Sequence, residues 1–179
     1  EVVLSWEPAN RDALDRLLEI YVANDQLGKA LGLLEWVGLR EEATEDRVRN
    51  LRRTLELLPE EDHKGRFYLL RRILLLGGDQ REVLDELKAE ADAAELWGEM
   101  PAVLSLLVAR AEDADARLEL QQEMAGIWEE KLDNPDRAYL TLQQSFLSPE
   151  RNGEVLEEAL RLARATERFE DMLVLLDRM

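Results

Sequence analysis

The sequence predicts an all-α fold, a solenoid of about five helical hairpins, and three observations carry that prediction. Leu, Ala, Glu and Arg dominate the 179 residues, while Gly and Pro are sparse at 9 and 5; this is a composition of good helix formers. Apolar residues recur three or four apart and no stretch alternates with period two, which is helical rather than strand periodicity. Similar segments return roughly every 35 residues, the spacing of stacked helix pairs.

The units fall near residues 11–40, 44–77, 80–112, 115–149 and 153–179, read as one array over residues 1–179. The first and last align without a gap: Leu14 falls on Leu156, Leu18 on Leu160, Tyr21 on Ala163, Leu27 on Phe169, Leu31 on Leu173 and Leu34 on Leu176. The second unit places Val48, Leu51, Leu55, Gly65 and Leu69 on its inner face. The third does so with Leu84, Leu87, Ala91, Trp97, Met100 and Leu104, and the fourth with Met124, Ala125, Trp128, Ala138 and Leu142. Each helix is too short to persist alone in water, so the pairs must pack to form.

Boundary chemistry agrees with this division. Asn10 and Asn152 stand where an N-cap belongs. Asp79 with Glu82 makes a capping box after the Gly77-Gly78 break. In "LDNPDRA" Asn134 caps while Pro135 takes the first helical position, where its missing N–H costs nothing, and Pro101 fits the same first-turn role. "SWEP" (5–8) reads as the tail of a unit whose body lies outside this sequence. The apolar end "FEDMLVLLDRM" (169–179) is a helix that expects a further repeat, so flanking repeats of its own chain are expected neighbours.

The residues resemble tetratricopeptide repeats. The stretch "MAGIWEEKLDNPDRAYLTLQQSFLSPERN" offers Met124-Ala125, Trp128, Ala138 and a closing Pro149, and residues 14–37 add Leu17, Tyr21, Ala30 and Leu34 in the same pattern. The phrases "EEKLDNPDRAYLTLQQSF" and "ATERFEDMLVLLDRM" look like degenerate bacterial versions. The departures are Arg52 and Lys88, where the family places a small residue, and the third unit's lack of a closing proline. The resemblance implies a right-handed superhelix whose first helices line a concave groove for protein segments, and it implies no catalysis.

Composition narrows the function. A net charge of −17 argues against nonspecific nucleic-acid or anionic-lipid binding, which needs clustered Lys and Arg. No cysteine is present, so disulfides and thiolate metal sites are excluded, in keeping with a cytoplasmic location, although a periplasmic one stays open. No apolar run is long enough to insert in a membrane. His63, the single histidine, is expected in a polar turn, "EEDHKGR", with no nucleophile beside it, and "EDADAR" (112–117) lacks the glycine and terminal Glu of a calcium loop. No glycine-rich phosphate loop occurs. The expectation is a non-enzyme without cofactor or metal.

If first helices line the groove, the flanks of their apolar stripes face it. These are Asp12, Asp15 and Glu19, then Asp46, Arg49, Arg53 and Glu56, then Glu82, Asp85 and Asp92. The fourth unit adds Glu119, Gln122 and Glu129, and the last adds Glu154, Glu157, Arg161 and Arg164. Such a groove is mainly acidic, and charge complementarity would make its partner a protein segment, basic in character. An acidic face that only keeps helices solvated reads the same way.

Eight of the 23 basic residues lie between Arg47 and Arg72, against four acids. They read as an anion or acidic-peptide site, or as pairing partners for Glu82, Asp85 and Glu86 of the neighbouring unit, the second being favoured. Trp6, Trp36, Trp97, Trp128 and Phe169 recur near unit junctions and are expected in the core, Trp6 least so. The expected function is a non-catalytic protein-interaction scaffold. A structural spacer or self-associating segment, and an assembly or secretion chaperone, are the alternatives.

Overall fold

The structure, a computed structural model, describes residues 10–77, 80–145 and 153–177. Helices joined by short turns, bends and irregular connections make up the described residues, without a strand among them. The helices pack in chain order, each on its predecessor and successor within two compact units, residues 1–94 and 95–179. This is the all-α, solenoid-like packing the periodicity predicts. The boundary between the units falls inside the expected third hairpin.

The first unit holds α1 (Arg11–Ala23), α2 (Leu27–Gly38), α3 (Thr44–Leu57), α4 (His63–Leu76) and α5 (Gln80–Ala93). Asn10 caps α1, its side chain accepting from the Ala13 N–H at 3.0 Å, as the sequence predicts. Leu14, Leu18 and Tyr21 of α1 close on Ala30, Leu34 and Val37 of α2. Leu51 and Leu55 are buried on α3, Phe67, Leu70, Ile73 and Leu74 on α4, and Val83, Leu84, Leu87 and Ala91 on α5. Asp62 caps α4 through the Gly65 N–H at 2.9 Å, and Gly77 ends it at φ +95°, a left-handed C-cap suited to glycine. His63 is thus the first residue of a helix rather than a turn residue. Trp6, Asp79, Pro149 and Asn152 lie outside the described residues.

The second unit opens with a 3-10 turn (Trp97–Glu99) and contains α6 (Met100–Arg110), α7 (Ala114–Gly126), α8 (Pro135–Ser145), α9 (Gly153–Ala165) and α10 (Phe169–Asp177). Pro101 sits in the first turn of α6 as predicted. Asp113 caps α7, a residue not singled out from the sequence, and Asn134 caps α8 by accepting from the Arg137 N–H at 3.0 Å. The end of α7 widens into a π turn, Ile127–Lys131. Ala125, Ala138, Tyr139, Leu142, Val155, Ala159, Leu162, Ala163 and Met172 form the core, with Leu118, Trp128, Leu156 and Leu160 packed against it.

The aromatics depart from expectation. Trp36, Trp97 and Trp128 are half-buried, and Phe169 is 46% exposed. Each indole carries a cation: Arg40 at 4.0 Å from Trp36, Lys131 at 4.5 Å from Trp97 and Arg137 at 5.0 Å from Trp128. A ring face that attracts a hydrated cation has to stay near water, which holds these rings at the rim. Leu173 is likewise 61% exposed on α10.

Four turns share one backbone device. Asp25, Glu95, Asp133 and Glu167 all take φ between +48° and +57°. In two of them the chain closes by the same bond, Gln26 N–H to Tyr21 O at 2.8 Å and Arg168 N–H to Ala163 O at 2.9 Å. That bond is the 6→1 closure of a Schellman ending, in which the left-handed residue is ordinarily glycine. A side chain there costs about 1–2 kcal/mol, offset in part by its smaller unfolded-state freedom. Glu167→Gly should therefore raise the thermal midpoint by roughly 2–4 °C. A calorimetric scan showing no rise would mean that the turn is not strained.

Candidate partner-binding face

The exposed flanks of α1, α3 and α5 carry the residues expected to meet a partner, and ion pairs between alternate helices organise them. Arg11 of α1 pairs with Asp46 of α3. Arg53 of α3 stands 2.6 Å from Asp15 of α1, an ionic contact whose N–H is not aligned on the carboxylate oxygen. Arg52 of α3 grips both carboxylate oxygens of Glu86 on α5, at 2.8 and 3.0 Å. In the second unit Arg161 of α9 reaches back to Glu129, and Arg168 to Asp136 at 2.8 Å. In the four hydrogen-bonded pairs the partners stand 32 to 35 residues apart, the period of the repeat itself.

This ladder decides the fate of each predicted position. Asp15 and Arg53 are brought together, and Arg49 turns to Asp46 on its own helix at 2.7 Å. Asp85 takes Lys88 at 3.2 Å, and Asp92 also has a partner. Asp12, Glu19 and Glu82 are exposed and take no ion pair among the described residues. Glu56, Glu119, Glu157 and Arg164 are exposed, and Gln122 is half-buried. The side chain of Glu154 lies outside the described part. Arg16, on the same flank of α1, is also exposed and takes no ion pair among the described residues, so the face keeps an acidic surplus because most of its arginines, not all, are consumed within it.

The basic cluster resolves largely as internal pairing. Besides Arg49, Arg52 and Arg53, Arg66 donates to Glu90 at 2.6 Å, and His63 Nδ1 approaches the other oxygen of that carboxylate at 2.9 Å. Arg52 and Lys88, which stand where the tetratricopeptide pattern places small residues, are half-buried with their charged heads paired. Long basic side chains can lay their stems on apolar surface in this way.

Glu41, in the connection between α2 and α3, accepts from buried Asn50 at 2.7 Å. Burial, and next the charge of Asp46, hold its carboxyl above the usual carboxylate range. On α9 the effect is reversed, for hydrogen bonds from Arg161 hold Glu158 below that range.

A second surface was not read from the sequence. A cleft of about 480 Å³ is lined by α2, α3 and α4, with Gly28, Gly32, Leu31 and Leu58 among its walls. The available signal was Gly28-x-x-x-Gly32 inside a helical pattern, a costly choice for a helix. Among the described residues no group of three or more His, Cys, Asp or Glu side chains is placed to hold a metal, and no helix is long and apolar enough to cross a membrane. Comparison with protein-family models, curated proteins and solved structures finds no match for this chain.

Two predictions follow from these geometries. A double-mutant cycle on Arg52 and Glu86 should return a coupling of about 0.5–1 kcal/mol that shrinks with salt, as befits a half-exposed pair in which one guanidinium nitrogen spans both carboxylate oxygens. Zero coupling at low salt would remove the ladder's energetic role. Glu41→Gln keeps an acceptor for Asn50 while removing a disfavoured charge. Because the folded carboxyl holds its proton more tightly than the unfolded one, the variant should melt roughly 1–3 °C higher at neutral pH. The gap should close as pH falls through the folded pKa; a variant that melts lower at neutral pH would contradict the assignment.

Proposed function

We propose that this chain is a non-catalytic, tetratricopeptide-like repeat module that holds a basic segment of a partner protein on the face made by its first helices. The observation that carries the proposal is the retention of exposed, unpaired Asp12, Glu19 and Glu82 on a face where most arginines are already committed to Asp15, Asp46 and Glu86, Arg16 being the exposed exception on α1. The right-handed superhelix belongs to the same proposal, since a concave first-helix surface is what such a module offers. A face of this kind steers a cationic segment toward itself and orients it on arrival.

A second reading has its own support. Phe169 and Leu173 leave apolar surface on α10, and such surface favours self-association.

The test is capture of partners by the full chain at about 50 and about 300 mM salt, where the screening length differs about twofold. A basic partner held at low salt, released at high salt, and weakened about tenfold by the combined Asp12→Lys, Glu19→Lys and Glu82→Lys changes supports the module. A partner indifferent to those changes would refute the acidic-face reading. Concentration-dependent mass without any partner, lost in Phe169→Ser with Leu173→Ser, would favour self-association.

A further inference from the structure

We propose that the cleft formed by α2, α3 and α4 receives an apolar helical segment of a partner chain that bears carboxylates on its flank, seated on Gly28 and Gly32 and held by Arg47 and Arg72. The cleft opens within the first unit, and its occupant is opposite in charge to the one proposed for the first-helix face.

Its shape and lining come first. The volume of about 480 Å³ lies in the range of clefts that bury a ligand or a few aliphatic side chains. Leu31, Leu58 and Leu69 line it half-buried, so its walls are apolar and still reached by water. Covering such leucines is favourable in proportion to the apolar surface removed from water.

The glycines supply the second argument. Gly28 and Gly32 lie four residues apart on one face of α2, are exposed, and line the cleft. A Cβ added at either would meet nothing within 4 Å. Gly65, which also lines the cleft, is different: a Cβ there would stand 2.3 Å from the Asp62 carboxylate that caps α4. The cap accounts for Gly65, whereas no contact among the described residues accounts for Gly28 or Gly32. Glycine inside a helix is destabilising relative to alanine. A flat strip along a helix is what the backbone of a second helix needs to approach closely.

Charge selects the occupant. In a chain of net charge −17, Arg47 and Arg72 line this cleft against a single acid, Glu35. Neighbouring Arg52, Arg53 and Arg66 each hold a carboxylate. Arg47 instead donates to the Glu41 carbonyl at 2.7 Å, and Arg72 makes no ion pair among the described residues. A guanidinium without a carboxylate is a ready fork for one. An apolar helix flanked by Glu or Asp satisfies both the walls and the arginines, whereas a basic helix would be repelled.

The experiment is selection, on the full chain, from a displayed library of helical peptides of about 16 residues varied over Leu, Ala, Glu and Lys. Selected peptides are then titrated by fluorescence anisotropy. The expected winners carry Leu at helical spacing with Glu beside it. They should bind Gly32→Leu about tenfold more weakly, and Arg47→Glu with Arg72→Glu more weakly still. Gly32→Leu meets nothing within 4 Å at its Cβ, and an unchanged or higher melting point would show it folded. Gly32→Ala controls for helix stiffening and should bind nearly as the parent does.

No enrichment, Lys-rich winners, or winners that bind Gly32→Leu as well as the parent would each overturn the proposal. Displacement by laurate at equal or better affinity would make the cleft a fatty-acid site instead. A concentration-dependent mass lost in Gly32→Leu would make a second copy the occupant. The acidic-face variants Asp12→Lys, Glu19→Lys and Glu82→Lys should leave these peptides bound, so the two proposals fail separately.

Discussion

No α-helical run among the described residues is longer than 14 residues, α7 being extended only by its π turn, and helices of that length are marginal alone in water. Everything else in the structure depends on the contact that rescues them, a short amphipathic helix closing on the next one in the chain. Small residues are fully buried in those contacts: Ala30, Ala91, Ala138, Ala159 and Ala163 have no exposed surface. An alanine lets two helices approach without giving up helix propensity. Leucines and methionines around it then fill the space between the axes.

Close packing in chain order has an electrostatic consequence. Helices two apart in the chain come near enough for long side chains to meet, so α1 pairs with α3 and α3 with α5. α8 and the entry to α10 do the same in the other unit through Asp136 and Arg168. These contacts are partly exposed and individually modest. Their effect is on the character of the surface more than on its stability. By consuming Arg11, Arg49, Arg52 and Arg53, they turn a mixed sequence of charges into a face on which Asp12, Glu19 and Glu82 stay exposed and negative, with Arg16 the exposed cation between the first two.

The cleft beside α2 shows the opposite outcome of the same rule. There Arg47 and Arg72 form no ion pair among the described residues, the helix presents glycine, and leucines stay half-covered. One unit of five helices thus carries two chemically distinct surfaces, one acidic and hydrated, the other apolar with cationic walls. A single net charge for the chain hides that segregation.

The all-α class, the ends of most helices and the greater part of the core were legible in the sequence, because they rest on local rules. Periodicity of 3.6 placed Leu14, Leu18, Leu84, Leu87, Met124 and Leu142 inside, and short-range capping chemistry placed Asn10, Asn134 and Pro101. Candidate surface positions were legible only as a register on a helix. Whether Asp15 meets a partner or Arg53, and whether Trp36 enters the core or stays at the rim beneath Arg40, depends on residues brought together by packing. The division into units at residues 94 and 95, the cleft behind Gly28 and Gly32, and the loneliness of Arg72 among paired arginines were likewise decided by tertiary structure. A linear pattern states which face of a helix is apolar. Only the packed helices state which charges cancel and which surfaces remain uncovered.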